Sequence, residues 1–551
     1  MRTEIRIWAM TQKIERAILT LVSVAQTGLR FGLAGLAIAG LAAGVLAPAL
    51  ADPPTSPSGA AEILSTPTLL GEAAAAQRMG QLAPEKVAGV QKAPSVIPQS
   101  ATETDPSGAV ASFQPNGATT TANNAFFQAL GPNGRSCFTC HQPRDGWTLS
   151  VQHINDRFSA NSDEPLFRRT DAATCPTDDV STLAAKQSAY SLLLGYGLIR
   201  IGLPMPAPLQ YEITGIRDPY GCNTNAKTGL TSATTGTIST YRRPLPAASL
   251  GFLSTIMWDG REPDLFSQAV DATLIHERAT SAPDVSQQQQ MVTFEGCSTA
   301  LTPGACANTP SGAGIFAAQN FDTNAQYLDS GGNGGPVNLA EQVPNFFLGI
   351  NDPFGSNPEQ TAFNPNVFDL FDAFANFQGG RDETETRQSI ARGQVLFNTF
   401  PINITGVAGL NDVLGQSTIV GTCSSCHDNP DVGNHSVNLL LNTGVTGAGP
   451  TRPPILLVAG LPIFSITCTA GPLAGQKLQV TDPGLATITG NCADLGKVKV
   501  PILRGLAARA PYFHNGSAPT LRYITSFYNQ RFGIGFSDQQ EDDLIAFLNS
   551  L

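Results

Sequence analysis

"RSCFTCHQPRDGW" (residues 135–147) and "GTCSSCHDNP" (421–430) share one pattern: two cysteines, two residues between them, and a histidine immediately after. C-x-x-C-H is the arrangement in which two thiolates add to the vinyl groups of haem while the histidine ligates its iron, so the spacing acts as a tether. With 10 cysteines and 6 histidines in 551 residues, chance supplies about 0.002 such strings; two copies are therefore a signal. The other use of four such cysteines is as disulfide or zinc half-sites. The haem reading assigns Cys137, Cys140 and His141 to a first covalently bound haem c, and Cys423, Cys426 and His427 to a second.

Around these motifs the chain is 42% hydrophobic and only 14% charged, with 54 glycines and 40 prolines. That suits a loop-rich exported protein of two or three domains. Arg2, Arg6, Lys13, Arg16 and Arg30 precede the apolar run "FGLAGLAIAGLAAGVLAPALA", the pattern of a secretory signal, with cleavage expected after Ala51. A run of about 20 apolar residues is also long enough to remain as an anchor. Six cysteines stand outside the haem motifs. The simplest of their 15 pairings is 175–222, 297–306 and 468–492. Disulfides and covalent haem together point to the bacterial periplasm. The net charge of −11 becomes about −14 without the signal. Nucleic acid is thereby excluded as a natural partner, whereas a small basic electron carrier is compatible.

Residues 52–110 are rich in Pro, Ala, Ser and Thr and read as a flexible lead-in. A first haem domain is expected over 111–380, with a loop-rich insertion at about 280–380 that either shapes a substrate entrance or is passive. A second follows over 381–551. It opens on a helix within "GGRDETETRQSIARGQVLFNTF" (379–400) carrying Ile390, Val395, Leu396 and Phe397. The chain's last helix starts at a capping box, Ser537 and Gln540, and carries the stripe Leu544, Phe547, Leu548 and Leu551. The two helices are expected to cross over the second haem.

Three stretches, together with the order of the haem motifs, resemble the bacterial di-haem cytochrome c peroxidase superfamily, which includes MauG-like enzymes. They are "RRPLPAASLGFLSTIMWDGREPDLFSQAV" (242–270), "VPILRGLAARAPYFHNGSAPTL" (500–521) and the motifs themselves. The resemblance implies a mainly α protein, two cytochrome c-type domains facing each other with long irregular loops. It places Trp258 between the haems and Gln268 on the open face of haem 1; a core aromatic is the plain alternative for Trp258. The family's acidic residue twenty positions after the tryptophan falls here on Arg278, with Glu277 one residue earlier as its substitute. His276 stands where the family has proline, and is open to three roles: sixth ligand of haem 1, distal acid–base group, or structural residue.

The family's methionine ligand to haem 2 has no counterpart, since the methionines are 1, 10, 79, 205, 257 and 291. His514 is the first candidate, because the more distantly similar di-haem rubber oxygenases share this C-terminal motif and have a histidine-ligated second haem; a structural role near the propionates is the alternative. His435 is the runner-up, followed by Lys497 and Lys499. A calcium site is doubtful, as Arg243 and Arg509 fall where the family's calcium contacts lie. The resemblance implies an oxidoreductase that reduces hydrogen peroxide, or activates dioxygen, at haem 1, using electrons from a small cytochrome c or cupredoxin through haem 2. Two other functions fit the same scaffold, a non-enzymatic electron carrier and an oxygenase or tryptophan-modifying enzyme. The oligomeric state is not read from sequence.

The motif count sets the first test. A pyridine haemochrome assay should give two haems per chain, neither extractable with acid-acetone; one haem, or free haem, would remove the basis of this reading.

Overall fold

The helix Arg381–Thr399 owes its start to the acidic pair Asp382 and Glu383 in its first turn, where the helix dipole favours negative charge. Ile390, Gly393, Gln394 and Phe397 form its buried face. Val395 is exposed and Leu396 half-buried, so the inward stripe runs through a glycine and a glutamine in place of two of the expected apolar residues. Gln394 earns its burial by bonding both ways: Phe371 N–H donates to its Oε1 (2.8 Å), and its Nε2 donates to Asp372 Oδ1 (2.7 Å). Asp538–Asn549, the chain's last helix, is closed by the expected box, with Gln540 N–H on Ser537 Oγ and Ser537 N–H on Gln540 Oε1. Leu544, Phe547, Leu548 and Leu551 are all buried.

These two helices cross at Gly393. A β-carbon there would stand 1.9 Å from the Asp543 carbonyl oxygen, so only glycine permits the approach. Ser389 and Arg392 clamp the crossing onto the Asp543 carboxylate at 2.6–2.8 Å. Phe368, Phe371, Phe397 and Phe547 interlock beneath it; each such ring contributes roughly 1.5–3 kcal/mol by burial.

The computed structural model describes residues 92–105, 108–297, 312–319, 334–448 and 460–551. The expected signal, 1–51, and most of the lead-in lie outside the described residues. Six described helices have ten or more residues: α1 (Val151–Ala160), α2 (Leu265–Ile275), α3 (Val285–Glu295), α4 (Arg381–Thr399), α5 (Leu521–Phe532) and α6 (Asp538–Asn549). Helix makes up 32% and strand 17%, so the expected mainly α character is met only in part. The difference comes from strands that pair across long sequence separations. Tyr211–Arg217 pairs antiparallel with Ile463–Cys468, which also pairs with Lys477–Val480. The disulfides Cys175–Cys222 and Cys468–Cys492 form as expected; the third proposed pair includes Cys306, outside the described residues.

Two further expectations are corrected. The end of the lead-in carries strand: Ser100–Asp105 pairs with Gly108–Phe113, which pairs with Phe316–Gln319 from the stretch read as mostly loop. That stretch also contains α3, whose start is closed by Asp284 and Gln287. Short strands of small residues such as "FAAQ" show no alternation because every side chain is buried. The described residues belong to one compact unit, and no described helix is long and apolar enough to cross a membrane.

Gly393→Ala tests the crossing. Helix propensity alone would reward it by up to ~1 kcal/mol; the clash with backbone should instead destabilise the protein by about 1–3 kcal/mol, seen as a lower Tm in thermal denaturation.

Candidate functional site

Each C-x-x-C-H segment forms one turn of 3-10 helix, Cys137–Thr139 and Cys423–Ser425. Ser136 N–H donates to Thr139 Oγ1 at 3.0 Å, and Thr422 N–H to Ser425 Oγ at 2.9 Å, so the two turns are closed in the same way. Each histidine N–H then returns to its first cysteine's carbonyl, at 3.0 and 3.1 Å. All four cysteines are unbridged, although the two of each pair are only three residues apart. Burial pushes the Cys423 and Cys426 thiols up to about 12. Among the described residues no group of three or more His, Cys, Asp or Glu could hold a metal ion.

The imidazoles are fixed by matching devices. His141 Nδ1–H donates to the Trp147 carbonyl at 2.9 Å, and His427 Nδ1–H to the Gly433 carbonyl. Trp147 and Gly433 both have left-handed backbone, φ 61° and 73°, which turns these carbonyls back towards the rings. A non-glycine residue pays about 1–2 kcal/mol for that conformation. Trp147 offsets it by complete burial among Phe126 and Phe294, with its indole N–H on Ser112 Oγ at 2.8 Å. At Gly433 a β-carbon would lie 2.8 Å from Phe368. Burial pulls both histidines down to about 4, so each is neutral and keeps a bare Nε2 for a metal.

Each motif opens on its own cavity. Cys137, Cys140 and His141 line the first together with Gln268, His276 and Glu277. Glu277 is buried; its Oε2 accepts the Leu130 N–H at 2.8 Å and its Oε1 lies 3.9 Å from Cys137 Sγ. Burial raises it to about 7. Arg278, twenty residues after Trp258, is exposed, at φ 60°; the chain turns there and Glu277 takes the inward place. His276 Nδ1 lies 2.8 Å from Asp171 Oδ2, which also accepts Arg135 Nη1 at 2.5 Å. Burial opposes ionisation of Asp171, but His276 and Arg135 hold it below the usual carboxylate range. Sequence reasoning missed two residues of this wall, Asp171 and Glu295. The only sequence signal for Glu295 was the Asp284–Gln287 capping pair that begins α3.

The second cavity is more apolar. Val445, Val498, Leu503 and Tyr528 are among its walls, beside Cys423, Cys426, His427 and His514. His514 is fully buried, and neither ring nitrogen has a hydrogen-bond partner; the nearest carboxylate, Asp482, is 3.7 Å from Nε2. Burial takes it down to about 4. His435, by contrast, has Nδ1 on Asp428 at 3.0 Å and lies off both cavities. Lys497 is spent on Asp494 at 3.0 Å. Lys499 lines both cavities, and burial lowers it to about 7.

Trp258 also lines both cavities. Its indole N–H donates to the Arg243 carbonyl at 2.7 Å, its own carbonyl accepts Lys499 N–H at 2.9 Å, and its ring centre lies 6.0 Å from that of His514. The next residue, Asp259, binds Arg242 at 2.5 Å and Arg261 at 3.0 Å, and Arg242 grips Asp482 through two bonds of 2.7 and 2.9 Å. Arg243 and Arg509 do not face carboxylates. Arg243 donates to the carbonyls of Tyr196, Leu149 and Arg509, and Arg509 to that of Ile502. Unbridged thiols, one bare nitrogen per buried imidazole and apolar walls fit a covalently attached haem in either cavity.

The family described as RoxA-like, cytochrome c-like matches residues 499–529. The chain is 33% identical over 140 residues to the cytochrome-c peroxidase IdrP2 of Denitromonas iodatirespirans, covering 24% of this chain and 36% of that protein. It is 39% identical over 77 residues to the cytochrome c peroxidase Ccp of Escherichia coli K12, covering 14% and 16%. The chain thus spans about a third or less of the length of these relatives. Among solved structures, a MauG-like protein associated with microbial copper homeostasis aligns over 78% of this chain and 87% of its own, at 15% identity and a TM-score of 0.30.

The two histidine candidates for the second haem, His514 and His435, separate in a mutational test. In oxidised holo-protein, His514→Ala should abolish the low-spin electron paramagnetic resonance signal of the second haem, and His435→Ala should leave it intact. A low-spin signal that survives His514→Ala would transfer the ligand role to Lys499.

Proposed function

We propose, from the chain's place in the di-haem cytochrome c peroxidase and MauG-like superfamily, that it is a periplasmic peroxidase: hydrogen peroxide is reduced at a first haem, and a small cytochrome c or cupredoxin supplies electrons through a second. The observation that carries this reading is Trp258, one indole on the wall of two cavities that each contain a C-x-x-C-H motif. When bound, the haems supply the one-electron redox chemistry that no side chain here can. Residues 111–380 and 381–551 would each hold one, through Cys137, Cys140 and His141 and through Cys423, Cys426 and His427.

The protein's own contribution differs between the cavities. In the first, Glu277 is poised near neutrality, so it can both give and take a proton at its Oε atoms. Asp171 orients His276, and Gln268 adds a neutral polar group to the same wall. In the second, His514 brings an imidazole with no competing hydrogen bond into a mostly apolar site, suiting it to hold a closed electron-transfer centre. Imidazole in place of thioether lowers the potential of such a centre. Keeping proton-active groups in one cavity and an aromatic contact to the other separates bond breaking from electron supply.

A non-enzymatic electron carrier is the second reading, and one observation favours it. His276 has the arrangement of a ligating imidazole, with Nδ1 held by an acceptor. A five-coordinate, high-spin first haem supports the peroxidase; two six-coordinate low-spin haems support the carrier. Trp258→Phe should preserve both haem spectra while slowing oxidation of the reduced second haem by peroxide about tenfold, ~1.4 kcal/mol in barrier. Stopped-flow rates equal to wild type would return Trp258 to the role of core aromatic.

A further inference from the structure

We propose that Glu295 is a second proton donor in the first cavity, acting on peroxide beside Glu277; the assignment rests on the peroxidase reading. Glu295 is the last residue of α3, in the stretch expected to be mostly loop. Met291, one turn earlier, places Sδ 3.9 Å from Cys137 Sγ, and residues four apart share a helix face. Glu277 and Glu295 line the same cavity, and the negative charge of each would disfavour ionisation of the Cys137 thiol there. Glu295 is 6% exposed and lines the cavity wall.

A carboxyl buried for structural reasons finds a hydrogen bond or a cation. Among the described residues Glu295 has neither. Of the cations that share its cavity, His276 and Arg135 bind Asp171, Arg242 and Arg261 bind Asp259, Arg243 binds backbone carbonyls, and Lys499 makes no ion pair with Glu295 among the described residues. Its place at the negative end of a helix also disfavours the carboxylate, and burial raises it to about 8. It therefore stands in the cavity as a neutral acid at pH 7, beside Glu277. The chemistry has use for two such groups. Reducing hydrogen peroxide breaks the O–O bond, takes two electrons from the reduced donor protein and needs two protons to yield two waters. One proton each from Glu277 and Glu295 completes the balance, leaving two carboxylates that solvent re-protonates.

The test uses holo-protein carrying Glu295→Gln, which keeps shape and polarity but holds no acid proton, and Glu295→Asp, which keeps the acid. Infrared difference spectra recorded on cyanide binding to the oxidised protein should contain a protonated-carboxyl C=O band in wild type that Glu295→Gln lacks. The peroxide reaction of the reduced wild-type protein should slow as pH rises through about 8. Glu295→Gln should react at least ~10-fold more slowly at pH 7 and lose the step of that limb near 8, keeping only what Glu277 contributes, while Glu295→Asp retains it. Glu295→Gln with the wild-type band, rate and pH profile overturns the assignment alone. A wild-type protein that consumes no peroxide overturns the peroxidase reading, and this one with it.

Discussion

Everything else in the molecule is arranged around one bond made twice, the Nδ1–H of a motif histidine to a backbone carbonyl six residues downstream. An imidazole tethered only by its side-chain torsions would have several rotamers and two tautomers. The carbonyl selects one of each and leaves Nε2 bare. Meeting this requirement forces a left-handed residue into each loop. Left-handed backbone in turn demands either a glycine, as at 433, or strong compensation, as at Trp147. The aromatic clusters follow, because Phe126 and Phe397 stand about 6 Å from the two imidazoles and each is part of the core on its own side. Core packing and ligand orientation are thus the same set of contacts.

The second organising element is the buried charge network behind Trp258. Arg242 joins Asp259, next to the tryptophan, to Asp482, beside His514, so the residue shared by the two cavities and the buried histidine of the second are held by one cation. Breaking such a network from one side costs on the order of 3–5 kcal/mol, since the remaining charge stays buried. The network is therefore better suited to holding geometry than to titrating. Glu277 and Glu295 line the first cavity beside two of the network's arginines, Arg242 and Arg261, but form no ion pair with them among the described residues, and burial moves both carboxyls towards neutrality.

What could be read directly from the chain was local. The C-x-x-C-H turns, the Ser537–Gln540 box with its apolar stripe, and the disulfides 175–222 and 468–492 involve short spacings or small counts. The turns and the box follow from the covalent chain and one turn of helix, and the disulfide pairing from the small number of cysteines. Tertiary structure decided whatever depends on where distant segments meet. Asp428 and Asp494, seven and three residues earlier in the chain, hold His435 and Lys497 locally, whereas the cavities that His514 and Lys499 face are built by segments from distant parts of the sequence. The same applies to Gly393, which looks like a weak point in a helix until Asp543 arrives against it. It applies equally to Glu295 and to the strand pairings that span some 250 residues. The chemistry of a side chain is set by its own atoms, but its charge state and reach are set by desolvation and neighbours, and only the folded chain brings those neighbours together.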